Sequence, residues 1–165
     1  MAGSALDELD VALLTALRDN PRAGVLELSR LTRVARATVQ SRLQKLEDAG
    51  VVTGYGPDVD LVAADHPVQA FVSLEIAQGA LEDVRADLEA VAGVVEAYAV
   101  TGSGDVLCRV AARSHEDLQA VLLDLDRSPA VARSTSVVVL SVVVPPRVLP
   151  LLAAAARPGR GRAPG

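Results

Sequence analysis

Gly102-Ser103-Gly104-Asp105 lies inside "AYAVTGSGDVLCRV" (97–110), the one place where glycines crowd into a run of strand-forming residues. A phosphate-binding loop needs such glycines to lead into a helix N-terminus, whose free N–H groups hold the anion. Here they run between two strand-like stretches, so nucleotide binding is not indicated. Two readings stay open. The first is a plain hairpin turn, for which glycine supplies the positive φ. The second is a small-molecule site, where glycine leaves main-chain groups open to a close ligand and the Asp105 carboxylate suits an ammonium.

A second concentration of chemistry is basic. Between Pro21 and Leu46, six cations (Arg22, Arg30, Arg33, Arg36, Arg42, Lys45) face one acid, Glu27, for a local charge of +5 in a chain of net charge −5. Residues 61–144 hold five Arg against twelve acids, a charge of −7. The two halves are built for different work. Arg can fork onto guanine, Gln onto adenine, and Ser or Thr onto phosphates. Arg36, Thr38, Gln40, Ser41 and Arg42, flanked by Arg33 and Lys45, are therefore candidate contacts to double-stranded DNA, some to phosphates and some to base edges. The competing reading is a three-helix bundle whose charges only keep it soluble.

The remaining reactive side chains do not assemble into a site. His66 precedes a proline and His115 opens a helix, and no Cys, Asp or Glu spacing completes a metal centre around either. Ser114-His115-Glu116 are helix neighbours that face different directions, so they form no triad. Cys108 sits in an apolar strand and reads as a small buried hydrophobe. No catalytic residue and no cofactor is expected.

Composition narrows the classes further. Half of the 165 residues are hydrophobic, yet only Tyr55, Phe71 and Tyr98 are aromatic, so stacking platforms for single strands or flat cofactors are scarce. One cysteine leaves no disulfide framework. The acidic "MAGSALDELD" does not read as a signal peptide, and "VVVLSVVVPPRVLPLLAAAA" is too interrupted for a membrane span. A soluble, cytoplasmic chain is expected.

The elements that must position these residues fall into an α+β order. Leu6, Leu9, Leu13, Leu14 and Leu17 form one helical stripe ending near Asn20-Pro21. "GVLELSRLT" is a short helix with Val25, Leu28 and Leu31 inward, and "RATVQSRLQKLEDAG" is a third with Val39, Leu43 and Leu46 buried and Gly50 at its end. A tight turn between two such helices presents the second to the major groove. "VVTGYGPDVDL" reads as two short strands, a wing. From Val68 the order becomes βαββαβ: "VQAFVSLEI", "ALEDVRADLEAVAG", "VVEAYAVT", "DVLCRVAA", "SHEDLQAVLLDLDRS" capped by Ser114, and a long final strand "VARSTSVVVLSVVV". This is the ferredoxin-like sandwich, both helices on one face of an antiparallel sheet. The valine-rich opposite face calls for a second sheet, hence a homodimer. The expected boundaries are 1–54 for the winged helix-turn-helix, 55–67 for a hinge, 68–145 for the sandwich, and 146–165 for a disordered Pro/Gly/Arg tail.

"LDELDVALLTALRDNPRAGVLELSRL", "RATVQSRLQKLEDAGVVTGY" and "VTGSGDVL" together resemble the Lrp/AsnC (feast/famine) family of transcription regulators over roughly residues 6–144. The resemblance implies dimers assembled into octamers and an amino-acid effector bound at a dimer–dimer interface. It assigns the effector to Thr101, Gly102, Gly104 and Asp105 of the turn and to Ser134 and Ser136 of the last strand. Two positions depart from the family: Ala35 where a serine usually caps the recognition helix, and Ser103 where a bulkier residue is usual. Two rival readings accompany it. Some tetrapyrrole-processing decarboxylases resemble the same architecture, although an acidic second domain with two histidines in the whole chain suits an anionic macrocycle poorly. Alternatively, the chain is an amino-acid sensor whose helical part scaffolds a protein partner.

Overall fold

The protein is described by a computed structural model covering residues 6–156. It divides into two compact units, one built from the chain up to Asp58 together with the segment from Val144, the other from Val59–Val143.

In the first unit, α1 (Glu8–Asp19) begins with a capping box: Asp10 N–H donates to the Asp7 carboxylate at 2.9 Å, and Asp7 N–H donates to Asp10 at 3.1 Å. Two of the helix's orphan amides are thereby satisfied. Leu13 is fully buried and meets Leu28 of α2 (Val25–Thr32) and Val39 and Leu43 of α3 (Arg36–Asp48) in one aliphatic cluster. Leu31, expected inward, is half exposed, because α2 is only two turns long and its core contact is made by Leu28. The link to α3 is tight: Arg33 adopts the left-handed conformation at φ 56°, and the Ser29 hydroxyl donates to the Val34 carbonyl at 2.6 Å. Helix α3 ends in a Schellman pair, Val51 N–H to the Leu46 carbonyl and Gly50 N–H to that of Glu47.

Two expectations differ from the structure here. Residues 51–60 contain no strand, so the wing is an irregular extended segment in which the Tyr55 hydroxyl donates to Glu47 and Asp58 pairs with Arg18 at 3.1 Å. Glycine and proline at 54, 56 and 57 weaken any ladder there. The tail is not wholly irregular: residues 149–155 form α6 (Leu149–Ala155), with Pro150 in its first turn, and α6 lies against α1. The arginines of the tail, Arg157, Arg160 and Arg162, lie outside the described residues.

The second unit carries a four-stranded antiparallel sheet in the order β2-β3-β1-β4, from β1 (Val68–Ile76), β2 (Val94–Ala99), β3 (Val106–Ala112) and β4 (Val131–Val138). Alternation sets the faces. Ala70, Val72 and Leu74 of β1 join Val106, Cys108 and Val110 of β3 under α4 (Leu81–Ala90) and α5 (His115–Asp126), which contribute Val84, Leu88, Leu118 and Leu125. Ser114 caps α5 by accepting from Asp117 N–H at 3.0 Å. Strand β4 stops at Val138, six residues short of the expected Val144, because β1, its one ladder partner among the described residues, starts at Val68.

In the first unit Arg42 ties α3 to α1: its guanidinium meets Asp7 at 2.6 Å and Asp10 at 3.0 Å, with the Asp10 side chain only 6% exposed. Burial would raise the Asp7 carboxyl, but the Asp10 amide and Arg42 outweigh it and hold the group below its ordinary 3.8. A depressed carboxylate stabilises the fold above that ordinary value, and the contribution is lost as pH falls through the native one. Arg42→Met is expected to destabilise this unit by about 2 kcal/mol near neutral pH, since it strands a buried carboxylate. In urea titrations followed by circular dichroism the variant should also lose stability less steeply than the native protein below about pH 4.

Candidate functional site

Helix α3 buries one stripe, Val39, Leu43 and Leu46, and leaves the opposite face open. At 3.6 residues per turn, Thr38, Ser41, Gln44 and Lys45 point away from that stripe, with Arg36 and Gln40 on one shoulder. All six are exposed, and Arg33 is exposed in the preceding turn. Gln44, overlooked among the candidates although it shares this face, donates to Asp48 at 2.9 Å. The first turn of α3 has no acid and no side-chain cap, Ala35 leaving its amides free. Such a helix start attracts a phosphate.

Arg42 stands apart from this group. It occupies the other shoulder and is half-buried, its charge spent on Asp7 and Asp10, so the structure assigns it to holding α3 on α1 rather than to the open face. Only the spacing from Asp7 and Asp10 across an unseen tertiary contact separates it from the neighbouring arginines, which is why the basic run alone did not single it out.

In the second unit, the turn between β2 and β3 folds back on β1. Asp105 N–H donates to the Leu74 carbonyl, and the Asp105 carboxylate accepts from Ile76 N–H, both at 2.9 Å. The β1–β4 register shifts between Glu75 and Ile76, which frees that Ile76 amide. Gly104 is buried, and a Cβ there would collide with the Ser73 hydroxyl. Gly102 has φ +127°, a conformation open essentially to glycine, and space around it. Thr101, Gly102 and Asp105 are exposed.

Val106, Leu74 and Ser134 share one rung across β3, β1 and β4, which puts Ser134 at the same end of the sheet as the turn, about 10 Å from Val106 by strand spacing. Ser136 pairs with Val72, two residues further along. Both serines therefore lie on the helix side of the sheet, whereas Gly104 rests on Ser73, which faces the open side. The turn and the serine pair share an end of the sheet but not a face.

The open face is neither bare nor simply solvated. Arg109 donates to Glu96 at 2.6 Å and to Gln69 at 3.3 Å, and the Tyr98 hydroxyl donates to the other oxygen of Glu96 at 2.8 Å. The Tyr98 hydrogen bond, then Arg109, lowers the Glu96 carboxyl against the effect of burial. The buried Nε of Arg109 has no hydrogen-bond partner among the described residues. Phe71, Tyr98 and Val137 stand exposed around this network. Cys108, on the helix side, is buried in aliphatic surroundings that push its thiol up to about 11. Among the described residues no three His, Cys, Asp or Glu side chains are grouped to hold a metal ion, and no helix is long and apolar enough to cross a membrane.

A helix-turn-helix unit with an open basic recognition face, joined to a ferredoxin-like sandwich, defines a class of DNA-binding regulators with a ligand-binding domain. The comparisons agree with that class. Residues 6–53 match the family described as winged helix-turn-helix DNA-binding, and residues 69–149 match the Lrp/AsnC ligand binding domain. The regulatory protein AsnC of Escherichia coli (strain K12) is 32% identical over 126 residues, covering 75% of this chain and 82% of that protein. The solved structure of E. coli AsnC superposes with a TM-score of 0.82 at 28% identity, covering 89% of this chain and all of that one. A transcriptional regulator from Neisseria meningitidis, solved as its L-Met complex, gives a TM-score of 0.77 at 28% identity, covering 84% and 92%. The chain belongs to the Lrp/AsnC family of transcriptional regulators.

The turn's geometry depends on the missing side chain at 104. Gly104→Ala is expected to lower stability by about 1–3 kcal/mol through overpacking against Ser73. Adding Ser73→Ala removes the hydroxyl that the new Cβ would meet and leaves the Leu74 carbonyl at 3.3 Å as the nearest atom. In thermal melts the double variant should regain most of the loss, a coupling that independent effects would not produce.

Proposed function

We propose that this chain is a sequence-specific, non-enzymatic transcription regulator that reads double-stranded DNA with α3, binds a free amino acid through its sandwich domain, and works as a homodimer capable of higher assembly. The observation that carries the reading is the open, uncapped and basic face of α3 in an otherwise acidic chain. Arg36, Thr38, Gln40, Ser41 and Lys45, with Arg33 from the turn, are the contacts; Arg42 is left out because its charge is already paired.

The amino-acid reading rests on the turn and on its likeness to a family whose Neisseria member was solved with L-Met. Thr101, Gly102, Gly104 and Asp105 present main-chain groups and one carboxylate, of which one oxygen is engaged by Ile76 and the other is left for an ammonium. Ser134 and Ser136 supply hydroxyls from the other face of the sheet. That separation favours a site shared between chains over one held by a single chain. The exposed aromatic and aliphatic side chains around the Arg109–Glu96 network support sheet-to-sheet dimerisation. An effector then regulates by binding one assembly better than another. Homology to named regulators argues against a tetrapyrrole decarboxylase, and so does the scarcity of histidine in the whole chain.

Arg36→Ala should weaken binding to an operator fragment at fixed salt and reduce the slope of log affinity against log salt by about 1, as expected when one phosphate contact is lost. An unchanged affinity and slope would remove α3's amino end from the interface. Asp105→Asn keeps an acceptor for Ile76 but removes the charge. It is expected to keep the native melting temperature while abolishing the stabilisation given by whichever amino acid shifts the native protein; at about a hundred times its dissociation constant a ligand adds roughly 2.7 kcal/mol.

A further inference from the structure

We infer that the stretch running out of the sheet after β4 is an interchain strand: residues 139–143 of two copies pair antiparallel about a two-fold axis at Ser141. This deepens the dimeric reading above and rests on it.

The stretch "VVVLSVVV" (137–144) is β-branched and free of charge, and only its beginning is paired. Val139 N–H reaches the Gln69 carbonyl at 2.8 Å, and past that point β1 offers nothing to bond. Leu140 is 97% exposed and Val143 89%, with Val142 more than half exposed. An edge strand in this state is a template for another strand, and soluble chains usually blunt such edges with charge, proline or cover. Here no charged residue occurs between Arg133 and Arg147, and the first prolines are Pro145 and Pro146. The open backbone is therefore bounded but not neutralised.

A second copy of this chain fits the stretch better than a foreign strand, because the pattern complements itself. Antiparallel pairing across a two-fold axis sets a residue opposite its own mate. With Ser141 at the axis, the two hydroxyls meet, Leu140 of one copy lies opposite Val142 of the other, and Val139 lies opposite Val143. Every apolar side chain then faces an apolar one. Alternation also agrees. Val139 turns its amide toward β1, so the amides of Leu140 and Val142 point to the free edge, and these two form the hydrogen-bonded pairs.

Disulfide trapping in the full-length chain tests this. Ser141→Cys places two thiols at a facing position where Cα atoms lie about 4.5 Å apart, within disulfide range. Leu140→Cys faces Val142 and serves as the control, while native Cys108 is fully buried and does not compete. Under mild oxidation Ser141→Cys should run as a covalent dimer on a non-reducing gel and Leu140→Cys as a monomer. Sedimentation then compares L140K/V142K with L140K/V142E, which lose the same apolar side chains but set like or opposite charges across the pair. The second should dimerise about tenfold more tightly. A native protein that is dimeric, with Ser141→Cys cross-linking no faster than Leu140→Cys and the two charge variants associating equally, overturns the strand pairing and leaves sheet-to-sheet dimerisation standing. A native protein that is monomeric at micromolar concentration overturns both.

Discussion

The Asp7–Asp10–Arg42 cluster decides how the recognition helix is held, and the DNA-binding unit is arranged around it. Apolar burial of Val39, Leu43 and Leu46 draws α3 onto α1 and α2, but the hydrophobic effect has no direction and tolerates sliding and rotation. A guanidinium gripped by two carboxylates does not. Asp10 serves both sides of the junction, closing the capping box of α1 and accepting from α3. Its burial is tolerable only because both demands are met at once. With α3 fixed on that shoulder, Arg36, Gln40, Ser41 and Lys45 are displayed without any of them being spent on the fold. The missing serine cap at Ala35 then matters less, since α3 is anchored through its middle turn.

Strand β1 has the corresponding position in the sensing unit. It lies between β3 and β4, and its last residues receive the β2–β3 turn through Leu74 and Ile76. A register shift at Glu75/Ile76 would ordinarily leave an amide unsatisfied, and the Asp105 carboxylate takes it. Asp105 thus has a structural role at the register shift, tying the turn to the strand that separates it from Ser134.

Much of this was legible because local periodicity reports which face of an element is buried. Helices α2 and α3, the full length of β1, the starts of β2 and α5, and the Ser114 cap all follow from spacing and capping chemistry. The failures share one cause: a pattern shows appetite for a partner, not whether the partner is there. Valine continues to 144, but β4 stops where β1 runs out. Val51 and Val52 look like a wing, but Gly54, Gly56 and Pro57 leave no second strand to pair with. Leu31 fits the helical stripe and finds no core above it. Arg42 looks like any arginine of the basic run until the fold brings Asp7 and Asp10 beside it. At the candidate effector site, the turn could be read from its glycines, whereas the opposite facing of the turn and the serine pair emerges only from the register.

The order of the chain gives the two units an asymmetry that bears on regulation. The sensing sheet is inserted between two pieces of the DNA-binding unit, which is completed by α6 against α1. The strand bearing Ser134 and Ser136 is also the strand that leads back, and only residues 139–148 separate its end from α6. In chain order β4 is followed by this connector and then by α6, which lies against α1, the helix that carries Asp10. The second link, through residues 59–67, enters at the start of β1, the strand against which β4 is registered. Both covalent links between the units thus begin on the strand pair β1–β4, and the β2–β3 turn bonds to β1 of that pair through Leu74 and Ile76.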